Sequence, residues 1–125
     1  MQEYTVVIAM LALIQYMYFL MRVGGARAKF GIDAPATTGN PDFERINRVH
    51  YNTLEQLVIF IPALFAFSTY VNPLWAQAVG VAYIIGRFVY AQGNVNDAKK
   101  RAPGMIITML SNVILVVGTI IGIFV

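Results

Sequence analysis

Between Phe43 and Pro62 the chain reads FERINRVHYNTLEQLVIFIP, and the side chains able to do chemistry crowd its first half: Glu44, Arg45, Arg48, His50, Asn52 and Glu55. Wound as a helix, Arg45, Arg48, Asn52 and Glu55 follow one another at intervals of three, four and three positions. That spacing lays them along one face, with Glu44 and His50 flanking it. Two guanidiniums and an amide offer donors to carboxylates, while a carboxylate accepts from an ammonium group, so the row suits a zwitterionic, peptide-like ligand. Ion pairing of Glu44 with Arg48, or of Arg48 with Glu55, accounts for the same residues equally well, and the two readings are compatible.

A second row, Arg87, Tyr90 and Asn94, has spacings of three and four, and Arg101 lies just beyond it. Two polar rows and a basic connection converging at one end of an apolar molecule predict a polar pocket there. Lys99 and Lys100 read instead as headgroup contacts and topology determinants. His50 is the single histidine and there is no cysteine, so no metal site is expected. A cysteine nucleophile and disulfides are excluded as well, and any thiol chemistry must use a thiol brought by the ligand.

The elements that hold these rows follow from composition. Of 125 residues, 58% are hydrophobic and 12% charged, with a mean hydropathy of +0.65. That is the balance of an integral membrane protein, because a hydrocarbon core about 30 Å thick needs roughly 20 apolar residues per spanning helix. Four stretches qualify, and the prediction is a single all-α membrane domain over 1–125 with spans near 4–22, 43–70, 74–92 and 103–125. The first is read as a span and not as a removable signal, since no basic segment precedes it. VGGARAKFGIDAPATTGNPDF, after Arg22, reads as a long polar loop. Asn40, Pro41 and Asp42 offer cap and first-turn chemistry to the second span, and Pro62 predicts a kink within it. VNP, Val71 to Pro73, is a short uncharged turn, and GNVNDAKKRAPG a basic one.

Arg22, Arg27, Lys29, Arg45, Arg48, Lys99, Lys100 and Arg101 all fall at the first and third connections, whereas the second connection and both termini carry no lysine or arginine. The bias predicts an up-down-up-down bundle with those two connections cytoplasmic and both termini on the opposite side. The net charge of +3 does not point to nucleic acid, because the basic residues are few and sit beside spans. Anionic lipid headgroups are the expected partners. A channel or transporter subunit is disfavoured because polar residues gather at one end and not through the midplane.

E-R-x-x-R-x-H-x-N-x-x-E, from Glu44 to Glu55, resembles the signature of the membrane-associated proteins in eicosanoid and glutathione metabolism, the MAPEG family. ATTGNPDFER (Ala36 to Arg45) and GRFVYAQGN (Gly86 to Asn94) are similar to the first loop and third-helix end of its microsomal glutathione transferase and cysteinyl-leukotriene synthase branches. The resemblance covers nearly the whole chain. It implies a homotrimer that binds glutathione between adjacent subunits near the cytoplasmic face. Arg48, Asn52 and Glu55 would bind the tripeptide, with His50 beside them and Arg27 reaching in from the end of the first helix. Arg87 and Tyr90 would come from the neighbouring subunit, Asn94 would follow them, and Arg101 would stabilise the thiolate. Asn94 stands where several members have a tyrosine, and Tyr51 where the prostaglandin-forming members have arginine, which disfavours prostaglandin isomerisation.

The expectation is therefore an enzyme: a glutathione transferase, with glutathione peroxidase activity as a further possibility, that activates the glutathione thiol against a hydrophobic electrophile or lipid hydroperoxide. The alternative is a non-catalytic lipid-binding scaffold of the same fold.

Overall fold

Four α-helices, α1 (Gln2–Phe30), α2 (Pro41–Tyr70), α3 (Pro73–Asn96) and α4 (Ala102–Phe124), make up nearly all of residues 2–96 and 102–125, the part of the chain that the computed structural model describes. Arg101, Lys99 and Lys100 lie outside the described residues.

α2 and α3 open with the same dipeptide, Asn-Pro. Asn40 Oδ1 accepts from the backbone N–H groups of Asp42 (2.9 Å) and Phe43 (3.2 Å), and Asn72 Oδ1 accepts from those of Leu74 (2.8 Å) and Trp75 (3.2 Å). In each case the side chain takes up donors that the first turn leaves unpaired, and proline occupies the position whose N–H is dispensable. α2 runs on as helix through Pro62 to Tyr70.

Two boundaries differ from the sequence expectation. α1 does not stop near residue 22 but continues to Phe30. Val23 and Ala26 of this extension pack on Phe43 in a small core of their own, and Arg27 and Lys29 sit in the last turn, where the helix dipole favours cations. The stop comes at Gly31, whose φ of 66° closes a C-cap in which Ile32 N–H donates to Arg27 C=O at 3.0 Å. α3 likewise passes residue 92 and reaches Asn96, its extension anchored by buried Asn94.

The contacts between helices fix the topology. Thr5 meets Ser68 and Tyr16 meets His50, so α1 and α2 run in opposite directions. Phe60 stacks on Tyr83 with ring centroids 3.8 Å apart, and Arg87 meets Asn52, which makes α2 and α3 antiparallel. A Cβ added to Gly86 would meet Ile107, and one on Gly104 would strike the backbone of Tyr90, so α3 and α4 are antiparallel too and nearly touch at their main chains. Such close approach between membrane helices is what glycine permits, and dispersion at short range then stabilises the pair. The result is an up-down-up-down four-helix bundle.

All four helices are long and apolar enough to cross a membrane, and rows of exposed apolar side chains such as Met10, Ile14, Met17, Leu110 and Ile114 cover the outside. This is an integral, multi-pass membrane protein. With 29 and 30 residues, α1 and α2 measure about 45 Å, well beyond a hydrocarbon core of about 30 Å. The excess falls where α1 ends and α2 begins, because that end carries Arg27, Lys29, Asp42, Glu44 and Arg45, whereas the far end of α2 turns through uncharged Val71 and Asn72.

Candidate functional site

The two polar rows meet along the seam between α2 and α3. Arg87 is completely buried. Its Nη2 donates to Asn52 Oδ1 at 2.6 Å, and its guanidinium carbon lies 4.4 Å from the centroid of the Tyr90 ring. A desolvated cation is held here by an amide oxygen and an aromatic face, without a carboxylate partner among these contacts. Its Nε finds no hydrogen-bond partner among the described residues. One turn on, Asn94 Nδ2 donates to the Arg45 carbonyl at 2.9 Å and ties the end of α3 to the first turns of α2. The resemblance places Arg87 and Tyr90 opposite the second helix of a neighbouring subunit. In the structure, Arg87 engages Asn52 of its own chain, because a two-residue turn makes α2 and α3 antiparallel neighbours.

The row on α2 does not present a single surface. Asn52 is buried, whereas the side chains of Arg48 and Glu55 are 53% and 62% exposed and stand 3.8 Å apart as an ion pair. Arg45 turns to Asp42, 3.4 Å away. Steps of three and four residues drift around a helix, so the row is about 80° wide. One edge faces α3 and the other opens outward.

Two of the residues expected beside them are occupied elsewhere. His50 stacks on Tyr16 with ring centroids 5.3 Å apart, and its Nε2 is 3.0 Å from the Tyr16 hydroxyl, in the α1–α2 interface. Arg27 donates from Nη1 to the Ala36 carbonyl at 2.8 Å and lies over the Phe43 ring, bracing the first loop against α2. Arg101, the expected thiolate partner, falls outside the described residues.

Sequence spacing missed the feature next to this seam. A groove of about 830 Å³ runs between α2 and α4, with Asn52 and Arg87 in its wall. Gln56 and Asn112 line it as well, and Asn112 Nδ2 donates to Gln56 Oε1 at 2.8 Å. Gln56 follows Asn52 by four positions, so helical spacing carried the signal, but it was obscured by the charged neighbour Glu55. Polar groups also penetrate farther than one end of the bundle: Gln15 Nε2 donates to the Ile84 carbonyl at 2.9 Å, and Gln2, Thr5 and Ser68 form a hydrogen-bonded knot at the opposite end. They are uncharged and join helices, which is the usual role of amides and hydroxyls inside a membrane.

A four-helix membrane bundle with a buried arginine on an asparagine and an open ion pair one turn away defines a polar site at the edge of a lipid-facing groove. The chain matches the MAPEG family over residues 5–121 and belongs to it. It is 47% identical to an uncharacterized protein of Synechocystis over 116 residues, which are 93% of this chain and 85% of that one. It is 40% identical to human microsomal glutathione S-transferase 2 over 97 residues, 78% of this chain and 66% of the human protein. With bovine leukotriene C4 synthase the identity is 32% over 94 residues, 75% of this chain and 63% of the synthase. The chain thus spans about two thirds of the length of the human transferase and of the bovine synthase.

Proposed function

We propose that the protein is a glutathione transferase embedded in the membrane, with glutathione as co-substrate and a hydrophobic electrophile or lipid hydroperoxide arriving from the bilayer. The observation that carries this reading is the open Arg48–Glu55 pair beside the buried Arg87–Asn52 contact. An exposed pair at 3.8 Å contributes little by itself, about 0–1 kcal/mol. A tripeptide with two carboxylates and an ammonium exchanges it for several charge-assisted hydrogen bonds. Arg48 then takes a carboxylate and Glu55 the ammonium. Asn52, Arg87 and Tyr90 form the floor, while Arg27, His50 and Asn94 hold that floor in place.

Arg101 is assigned the thiol. A free thiol has a pKa near 8.5, and a guanidinium beside it favours the anion, so more nucleophile exists at neutral pH. The thiol gives its proton to solvent, the thiolate sulfur bonds to the electrophilic carbon, and the leaving group departs with the bonding electrons, a halide as the free anion and an alkoxide taking a proton from solvent. With a hydroperoxide the sulfur attacks the terminal oxygen and the O–O bond breaks. A second glutathione then releases the disulfide, leaving an alcohol and water. The reading includes a single membrane domain that assembles as a homotrimer, with glutathione between subunits and the first and third connections in the cytoplasm. The names of the relatives and the MAPEG membership support it.

The groove of about 830 Å³ equally favours a second reading, a lipid-binding scaffold without catalysis. Purified protein in detergent, given glutathione and a chlorodinitrobenzene-type electrophile, separates the two. Turnover that drops in Arg101→Ala is the expected result. Saturable glutathione binding without turnover on any of several electrophiles supports the scaffold, and unchanged turnover in the variant removes Arg101 from the mechanism.

A further inference from the structure

Among the described residues, Arg27, Arg45, Arg48 and Arg87 each bring the guanidinium to an oxygen of the protein: the Ala36 carbonyl, Asp42, Glu55 and Asn52. Arg22 does not. It is half-buried on α1, and its guanidinium carbon lies 5.9 Å from the centroid of the Tyr18 ring, with no ion pair or hydrogen bond to its side chain among the described residues. A guanidinium stacked on a ring keeps its N–H edge free for a planar or tetrahedral oxyanion. From Tyr4 to Met21 α1 carries no charge, a run of about 27 Å and close to the thickness of a hydrocarbon core. Arg22 therefore emerges at the level of the headgroup phosphates. Tyr18, one turn lower, is half exposed, as is Phe88 of α3. Phe19 joins them, its ring centroid 5.8 Å from that of Tyr18 and 6.1 Å from that of Phe88. Below this aromatic bridge, exposed Ile14 shares the Tyr18 side of α1 and exposed Ile85 the Phe88 side of α3. The outer seam between α1 and α3 is thus an apolar track that ends at a cation.

We propose that this seam binds an anionic phospholipid, with Arg22, steadied on the Tyr18 ring, donating to the phosphate and an acyl chain lying along the track against Phe88 and Ile85. The charge pattern selects the headgroup. After Glu3, α1 has no acidic residue, and α3 has none at all, so the ammonium of a zwitterionic headgroup finds no carboxylate on either wall. An unbalanced guanidinium at the edge of a low-dielectric layer favours a ligand that brings net negative charge. Lys29, two turns beyond Arg22 on the same side of α1, adds to the positive field but stands about 10 Å higher, in the overhang. The seam lies apart from the α2 row and from the groove between α2 and α4, so the site does not depend on the glutathione reading.

The test uses the full chain, delipidated in detergent, with bound lipid counted by native mass spectrometry during titration with dioleoyl phosphatidylglycerol, with dioleoyl phosphatidylcholine, or with the first of these against inorganic phosphate. Wild-type protein is expected to bind phosphatidylglycerol about tenfold more tightly than phosphatidylcholine, the scale of a hydrogen bond to a charged group. Arg22→Gln should bring phosphatidylglycerol down to the affinity of phosphatidylcholine, whose unchanged binding reports an intact seam. Tyr18→Leu should lower the preference about threefold, because the ring that steadies the guanidinium is gone. Lys29→Gln removes the same charge from the same side of α1 and should keep the preference within about twofold, since an exposed cation two turns higher acts only through a screened field. Equal affinity for the two lipids in the wild type overturns the proposal. Equal losses in Arg22→Gln and Lys29→Gln overturn it too, by assigning the effect to diffuse charge. Displacement of phosphatidylglycerol by millimolar inorganic phosphate also overturns it, by marking a site for a soluble anion that needs no chain. Where Arg22→Gln binds neither lipid, Tyr18→Leu decides, and an undiminished preference in that variant overturns the proposal.

Discussion

Arg87 and Asn52 face each other across the α2–α3 seam at 2.6 Å, with the guanidinium fully buried. The relationship is asymmetric: without Arg87 the amide loses one donor, but without Asn52 a charge is left in an apolar interior. Asn52→Leu should therefore destabilise the protein by about 2 kcal/mol or more, and the pair Arg87→Met/Asn52→Leu by clearly less. Thermal unfolding in detergent, followed by circular dichroism, measures both, and equal losses would show that the contact does not hold the charge.

Arg48 and Glu55 make the opposite case. Their ion pair is long and open to solvent, so Arg48→Gln and Glu55→Gln should each change stability by less than about 1 kcal/mol. Each should weaken glutathione binding at least tenfold by calorimetry, on the scale of a lost charge-assisted hydrogen bond. Unaltered affinity in both variants would remove the α2 row from the tripeptide site.

His50→Phe should leave glutathione affinity within about twofold while costing about 1 kcal/mol of stability, because the ring can still stack on Tyr16 but the hydrogen bond to its hydroxyl is gone. A loss of binding with stability intact would place the imidazole in direct contact with the ligand.

Two kinds of glycine should respond differently to alanine. A Cβ at Gly104 strikes the backbone of Tyr90, whereas Gly24 has nothing within 4 Å. Gly104→Ala should drive α3 and α4 apart at a cost of about 3 kcal/mol. Gly24→Ala, in the exposed extension of α1, should stabilise by up to about 1 kcal/mol. The yield of folded protein and its midpoint temperature compare the two directly.

The four helices, their order and the Asn40-Pro41 start of α2 were legible in the sequence, because hydropathy and cap chemistry are local. The site was legible only as a set of candidates. Spacing placed Asn52 and Glu55 on one face, but which edge turned inward depended on α3 packing against that side. Phe43, Val49 and Leu57 set the rotation of the helix, and none of them bears on chemistry. His50 belonged to the motif by position and to Tyr16 by packing, a partner 34 residues away. Gln56 and Asn112 were legible as residue types, but their pairing joins two helices separated by a third in the chain. Val23 to Phe30 read as loop because Gly24 and Gly25 weigh heavily in any local rule, whereas Phe43 supplies the core that keeps the segment helical.

The overhang of α1 and α2 beyond the hydrocarbon makes the height of the polar seam a property of the protein and not of the bilayer. Arg45 and Asp42 stay wet in thick and thin membranes alike. The waterline along α4 moves with lipid length instead: short lipids bring water down toward Asn112, and long ones leave it deep in oil. Membrane thickness thus acts as a dial on the groove while leaving the headpiece above it untouched.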